Sequence, residues 1–171
     1  MEICHPEGRE DIADLVRIHG LAWRAAYEDL LPEQILAEIP VDPSEEAVTN
    51  WTERVRADRE RFLVAQIDGA VRGYAYFQWG SETKSFVGEH EAGLKEIYVH
   101  PEDWGEGIGT ALLERGLDLL PEYIEVLKLE TLAGNEVGKG FYEARGFDEV
   151  GTSQFAVGSE SYPTVVYANS L

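Results

Sequence analysis

The stretch His100–Leu117, HPEDWGEGIGTALLERGL, decides how the chain is read. It sets Gly105, Gly107 and Gly109 at alternate positions and runs at once into an amphipathic pattern carrying Ile108, Ala111 and Leu112. The segment before it, GLKEIYVHP, has the character of a strand and ends at Pro101. A glycine-rich turn between a strand and a helix gathers several backbone N–H groups and the positive end of a helix dipole at one point. Glycine also leaves that backbone open to close approach by a phosphate. Three alternate glycines at such a junction therefore point to an anion site in preference to a merely flexible turn. A dinucleotide fingerprint would need glycine at position 110, where Thr110 stands. A nucleoside-triphosphate loop fails as well. In AGNEVGKGF the spacing is one residue short, and Gly140 after Lys139 has no hydroxyl for magnesium.

Working outward, a short strand near Ile3 precedes a helical pattern from Glu10 to Tyr27 with Ile12, Leu15, Val16, Leu21 and Trp23 on its apolar stripe. LLPEQIL starts a second short helix and residues 44–59 form a third. The period then changes to two: RFLVAQIDGAVRGYAYFQW reads as two strands joined by a tight turn at Asp68-Gly69. After the glycine turn a helix is expected from Ile108 to Leu120, stopped by Pro121, with Leu119 and Leu120 on its apolar face. YIEVLKLETLA is a buried-type strand. Asn135 is suited to cap the following helix, which passes through Phe141 and Tyr142 and ends at Gly146. FDEVGTSQFAV and SYPTVVYAN close the chain as a hairpin. With 171 residues and 44% hydrophobic content, one domain spanning residues 1–171 is expected.

The chain carries 33 acidic residues against 14 basic ones, a formal net charge of −19, and this argues against nucleic acid or anionic membrane as partners. Because the acids are scattered along the whole chain, they read as a surface adapted to a high-salt cytoplasm, as in a halophile, rather than as a pocket for cations. No apolar run is long enough to span a bilayer, and the acidic beginning MEICHPEGREDIADL is unlike a secretory signal, so the cytoplasm is the expected location. The single Cys4 has no disulfide partner, and the four histidines lack zinc-site spacing, so no metal is expected.

Two separated motifs, IYVHPEDWGEGIGTALL and LETLAGNEVGKGFYEARGF, together resemble the core of the GNAT superfamily of acetyl-coenzyme A-dependent N-acetyltransferases. The motifs cover residues 94–147, and the order of elements extends the likeness over the whole domain. One position departs from the family pattern: Trp104 stands where arginine or glutamine is usual. The resemblance implies an α/β fold of the α+β type, with a central, mostly antiparallel sheet whose strands splay, flanked by helices. It also implies acetyl-coenzyme A as cosubstrate, no metal, and transfer to a primary amine of a small molecule or a peptide N-terminus. Members often dimerise, so a homodimer is a further expectation.

Carried over by position, Ile97, Tyr98 and Val99 would run beside the pantetheine arm, and Gly105, Glu106, Gly107, Ile108, Gly109 and Thr110 would cradle the pyrophosphate. Asn135 would reach the cofactor or serve only as a cap. Tyr142 would donate a proton to the leaving thiolate, with Gly138 one turn earlier leaving room for the thioester. Glu130 is preferred as the base that takes the amine proton, with Glu96 on the neighbouring strand as the rival. The Val99 N–H would stabilise the oxyanion. Trp23 and Tyr27, four residues apart on one helix face, would meet the acceptor or belong to a core stripe. A non-catalytic acyl-coenzyme A-binding module is the alternative; it would share the glycine loop without needing Tyr142 and an acid together.

Overall fold

The computed structural model describes Met1–Leu171. Asp68 and Gly69 both take positive φ, 53° and 82°, the backbone twist that closes a two-residue hairpin between β2 (Phe62–Ile67) and β3 (Ala70–Gln78). Around this hairpin lie β1 (Glu2–Cys4), α1 (Gly8–Tyr27), α2 (Glu33–Glu38), α3 (Glu45–Asp58) and β4 (Glu91–Val99). The second half supplies α4 (Ile108–Leu117), β5 (Val126–Leu132), α5 (Glu136–Glu143), β6 (Asp148–Val157) and β7 (Glu160–Ser170). The seven strands make one sheet in the order β1-β2-β3-β4-β5-β7-β6.

Every neighbouring pair is antiparallel except β4 and β5, which run parallel and pair only from Glu91↔Val126 to Gly93↔Lys128. The cause of that early end lies two residues along β4. Tyr76 pairs with Glu96 while the next residue, Phe77, pairs with Leu94, so Lys95 is an extra residue bulged out of the β3–β4 ladder. A bulge bends and twists the strand that carries it. Beyond Lys95, β4 turns away from β5, and the sheet opens into a V.

Hydrophobic layers on both faces fix the walls of this opening. Against α4 the core holds Phe77, Leu112, Leu127 and Tyr167; against α1 and α3 it holds Leu15, Ile18, Phe62 and Tyr74. The α1 stripe follows helical spacing, although Leu21 is only half-buried and Ile18 carries that part of the contact. Helix α4 ends at Leu117, three residues before the position expected from Pro121. Gly116 lies directly against the Phe77 ring, and the chain then tightens into i→i+3 bonds, Leu119 N–H to Gly116 O and Leu120 N–H to Leu117 O. Leu119 and Leu120 still pack on the core, from a turn instead of a helix. No helix is long and apolar enough to cross a membrane.

Candidate active site

Gly107 is the N-cap of α4 and adopts φ 86°, ψ 6°, and Gly105 has φ 84°; both are left-handed conformations that glycine takes without steric cost. The N–H groups of Gly105, Gly107, Ile108, Gly109 and Thr110 find no acceptor within the chain. The helical ones are the orphan donors of any helix start. Here they are joined by two more from the turn, and a Cβ built on Gly105 or Gly107 would meet nothing within 4 Å. Free donors thus stand at the glycine turn singled out in the sequence, and Glu106 differs from its neighbours. Glu106 donates its N–H to the Asp103 carbonyl at 3.3 Å and is exposed, so it holds the turn together and offers nothing to a ligand.

From this cradle a groove of about 450 Å³ runs into the V between β4 and β5. His100 donates to Arg72 O across the β3–β4 ladder at 2.9 Å, and backbone direction alternates along a strand. Tyr98 thus turns its backbone groups toward β3, while Ile97 and Val99 turn theirs into the V. The Val99 carbonyl is occupied, accepting the Trp104 indole N–H at 2.9 Å. Trp104, 44% exposed, thereby ties the glycine turn to the end of β4 without supplying a cation.

Glu96 and Glu130 both line the groove and also a second, smaller cavity on the α1 side of the sheet. Their surroundings differ. Both oxygens of Glu96 are held by Arg54, whose guanidinium also lies over the Trp51 ring at 4.8 Å, and Tyr74 O–H donates to Oε1 at 3.3 Å. His19, whose pKa is pushed down by burial, stands 3.9 Å from the same oxygen. Glu130 accepts from Thr164 Oγ1 at 2.8 Å and pairs with Lys84 Nζ at 3.2 Å, a lysine with a side chain 40% exposed. Glu96 belongs to a fixed ion pair; Glu130 shares its charge with a movable one.

Tyr142 lines the groove from α5, half-buried among Phe141, Phe147 and Tyr167, with ring centroids 5.3 to 6.2 Å away. Burial pushes its phenol well above the ordinary value of about 10, which keeps it protonated. Asn135 lines the groove too, but its side chain is engaged at both ends. Oδ1 accepts from Gly138 N–H at 3.0 Å, and Nδ2 donates to Thr131 Oγ1 at 3.0 Å. That cap also corrects the reading of Gly138. A Cβ there would come within 2.5 Å of Asn135 Nδ2, so the glycine makes room for the cap and not for a ligand. On the far side, Trp23 and Tyr27 meet edge to face at 5.1 Å and line the smaller cavity together with Phe155.

Sequence reasoning passed over Arg145. Its guanidinium donates to Thr110 Oγ1 at 2.9 and 2.5 Å and to Phe141 O at 2.8 Å, and it lies 3.6 Å from the Phe141 ring centroid. It has no carboxylate partner, in a chain with acids to spare. Apart from Lys95 it is the only cation lining the groove, and through Thr110 it stands at the glycine-turn end. Lys139, by contrast, pairs with Glu136 at 3.5 Å. The one sequence signal for Arg145 was its place three residues after Tyr142 in a helix end facing the turn.

A mostly antiparallel sheet splayed between two parallel strands is the fold this chain shares with solved N-acetyltransferases. The sequence profile of the acetyltransferase (GNAT) family matches residues 19–147, and the chain belongs to that family. Among its relatives is YuaI of Bacillus subtilis, an uncharacterized N-acetyltransferase, 30% identical over 115 residues that cover 67% of this chain and 61% of YuaI. The chain thus matches about three fifths of that relative's length. Of the solved structures, PaiA N-acetyltransferase from Thermoplasma acidophilum in complex with coenzyme A superposes with a TM-score of 0.73 at 22% identity, covering all of both chains. Ribosomal-protein-alanine N-acetyltransferase from Brucella melitensis gives 0.72 at 25% identity, again over both whole chains.

Proposed function

We propose that the chain is an N-acetyltransferase that moves the acetyl group of acetyl-coenzyme A to a primary amine of a small molecule or peptide N-terminus by direct attack. One observation carries this reading: five acceptor-less N–H groups mark one end of a groove that leads to Glu130, Glu96 and Tyr142 at the other. The residues fit the cosubstrate. Gly105 and Gly107 to Thr110 hold the pyrophosphate, and Arg145 adds the cation that Trp104 does not supply. Acetyl-coenzyme A, when bound, supplies the activated thioester carbonyl.

A free alkyl amine has a pKa near 10.4, so it must lose a proton before it is nucleophilic. Glu130 takes that proton, because its oxygens face Thr164 and a displaceable lysine, whereas those of Glu96 are committed to Arg54. The amine nitrogen forms the C–N bond as the C–S bond breaks. Of the two N–H groups turned into the V, that of Ile97 lies beside Glu96 and away from the phosphate turn, so it serves the carbonyl oxygen better than Val99. Tyr142 donates to the sulfur as charge develops there. Its raised pKa keeps the proton on the phenol, so Tyr142 supports the departing thiolate, of pKa about 8.5, as a hydrogen-bond donor and not by full proton transfer. A non-catalytic acyl-coenzyme A-binding module would use the cradle but has no need of a carboxylate and a phenol at the far end. The acidic surface is read as adaptation to a saline cytoplasm.

The test is Tyr142→Phe. With acetyl-coenzyme A and a primary amine, turnover should fall about 10²-fold while acetyl-coenzyme A binding persists. Undiminished turnover would remove Tyr142 from the mechanism, and absence of turnover in the parent protein across a broad amine panel would favour the binding module.

A further inference from the structure

A nitrogen that gives its proton to Glu130 must stand within hydrogen-bond reach of that carboxylate. One nitrogen of the chain already does: Lys84 Nζ lies 3.2 Å from Glu130 Oε1, while Oε2 is taken by Thr164. Lys84 reaches it from the smaller cavity, and Tyr98, Glu130 and Thr131 line both that cavity and the groove. The lysine thus occupies the place of an external acceptor nitrogen, and it is itself a primary amine.

The surroundings fix its backbone and leave its nitrogen free to move. Lys84 lies in the loop between β3 and β4, where Val87 N–H donates to Lys84 O at 3.0 Å and Lys128 Nζ donates to Phe86 O at 3.0 Å. From this pinned loop a flexible four-carbon stem carries the ammonium to Glu130 and to within 5.3 Å of the Phe155 ring centroid. The residue type matters too. Ten of the fourteen basic residues are arginine, and a guanidinium would hold the carboxylate by two prongs without serving as a nucleophile. No other lysine is so placed: Lys128 pairs with Glu91 at 2.8 Å, Lys139 with Glu136 at 3.5 Å, and Lys95 is exposed with no carboxylate partner.

We infer that Lys84 is a site of self-modification: with acetyl-coenzyme A bound and no other amine present, the chain acetylates its own Lys84 Nζ. This rests on the acetyltransferase reading above, with Glu130 as base. Glu130 takes one proton from the ammonium and passes it to water. The nitrogen then forms the C–N bond as the thioester C–S bond breaks, and its second proton follows to Glu130. The products are Nε-acetyl-lysine and the coenzyme A thiolate, which Tyr142 supports by a hydrogen bond and which takes up a proton from water. The new amide carries no charge for Glu130 and stays in the cavity that another acceptor must enter, so the reaction ends after one turnover and leaves the site blocked.

The protein is incubated with acetyl-coenzyme A alone. Thiol release is followed, the acetyl group is located by peptide mass spectrometry before and after, and acetyl-coenzyme A binding is measured by calorimetry. One thiol per chain should appear, with the acetyl group on Lys84, at a first-order rate that about tenfold dilution of the protein leaves unchanged, as an intramolecular reaction requires. Lys84→Arg, which keeps the positive charge beside Glu130, should take up no acetyl group. Glu130→Gln should slow the modification about 10²-fold while still binding acetyl-coenzyme A. Acetylation confined to the exposed Lys95, or a Lys84 reaction that Glu130→Gln does not slow, would be ordinary chemical acetylation and would overturn the proposal, as would a rate that falls with dilution. A protein that binds acetyl-coenzyme A and acetylates spermidine, free amino acids or a short peptide but leaves Lys84 unmodified overturns the self-modification alone. A folded protein that does not bind acetyl-coenzyme A removes the acetyltransferase reading itself.

Discussion

Gly107→Ala separates backbone strain from ligand approach. In the protein itself the new methyl meets nothing within 4 Å, so its only cost is the left-handed backbone at φ 86°, ψ 6°. For an L-residue that is about 1–2 kcal/mol. At about 2.1 cal/mol/K of unfolding entropy per residue, the 171-residue chain should lose roughly 3–6 °C in Tm. Gly69→Ala is the matched control: φ is 82°, nothing lies within 4 Å, and the residue closes the β2–β3 turn outside the groove. Differential scanning calorimetry should therefore show the same Tm loss for both. Titration with acetyl-coenzyme A should not. The methyl at 107 stands where a phosphate must come close to the five free N–H groups, and its Kd should rise about tenfold or more, or about 1.4 kcal/mol, while Gly69→Ala binds like the parent. Equal affinity in all three proteins would refute the claim that a phosphate is held against this backbone.

Glu130→Gln should lower kcat about 10²-fold near neutral pH and recover part of the loss as pH rises toward the acceptor amine's own pKa, about 8 for a peptide N-terminus and about 10.4 for an alkyl amine, seen in a pH–rate profile; unchanged kcat would pass the base role to Glu96. Arg145→Met should weaken acetyl-coenzyme A about tenfold by calorimetry, since a hydrogen bond to a charged group is worth about 1.5–3 kcal/mol. Unaltered affinity would leave the phosphates to the backbone alone. Raising potassium chloride from about 0.1 M to about 1 M shortens the Debye length from about 10 Å to about 3 Å, so the Tm of a chain with net charge −19 should rise with salt. A flat melting temperature would speak against salt adaptation.

What was legible in the sequence was local. Asp68-Gly69 demands a hairpin by its own dihedral preferences, Asn135 caps the helix that follows it, and Gly146 takes φ 89° just past that helix. The alternate glycines announced both the turn and the helix start. What was hidden depends on partners far apart in the chain. Arg54 and Glu96 are 42 residues apart, Arg145 and Thr110 35 apart, and no periodicity links either pair. The bulge at Lys95, which opens the sheet, follows from register against β3 and leaves no mark on β4 alone. Gly138 shows the limit most plainly. A missing side chain reads as space for a ligand until the Asn135 side chain is found filling it.

The central claim is that the cradle at the mouth of the splayed strands holds the pyrophosphate of acetyl-coenzyme A. Its most direct test is calorimetric titration of the folded protein in about molar potassium chloride with acetyl-coenzyme A and, in parallel, with S-acetyl-pantetheine, which lacks the pyrophosphate. The account predicts one site of about micromolar Kd for acetyl-coenzyme A and binding at least about tenfold weaker for the phosphate-free compound. Equal binding of the two, or no binding of acetyl-coenzyme A by a folded sample, would contradict it.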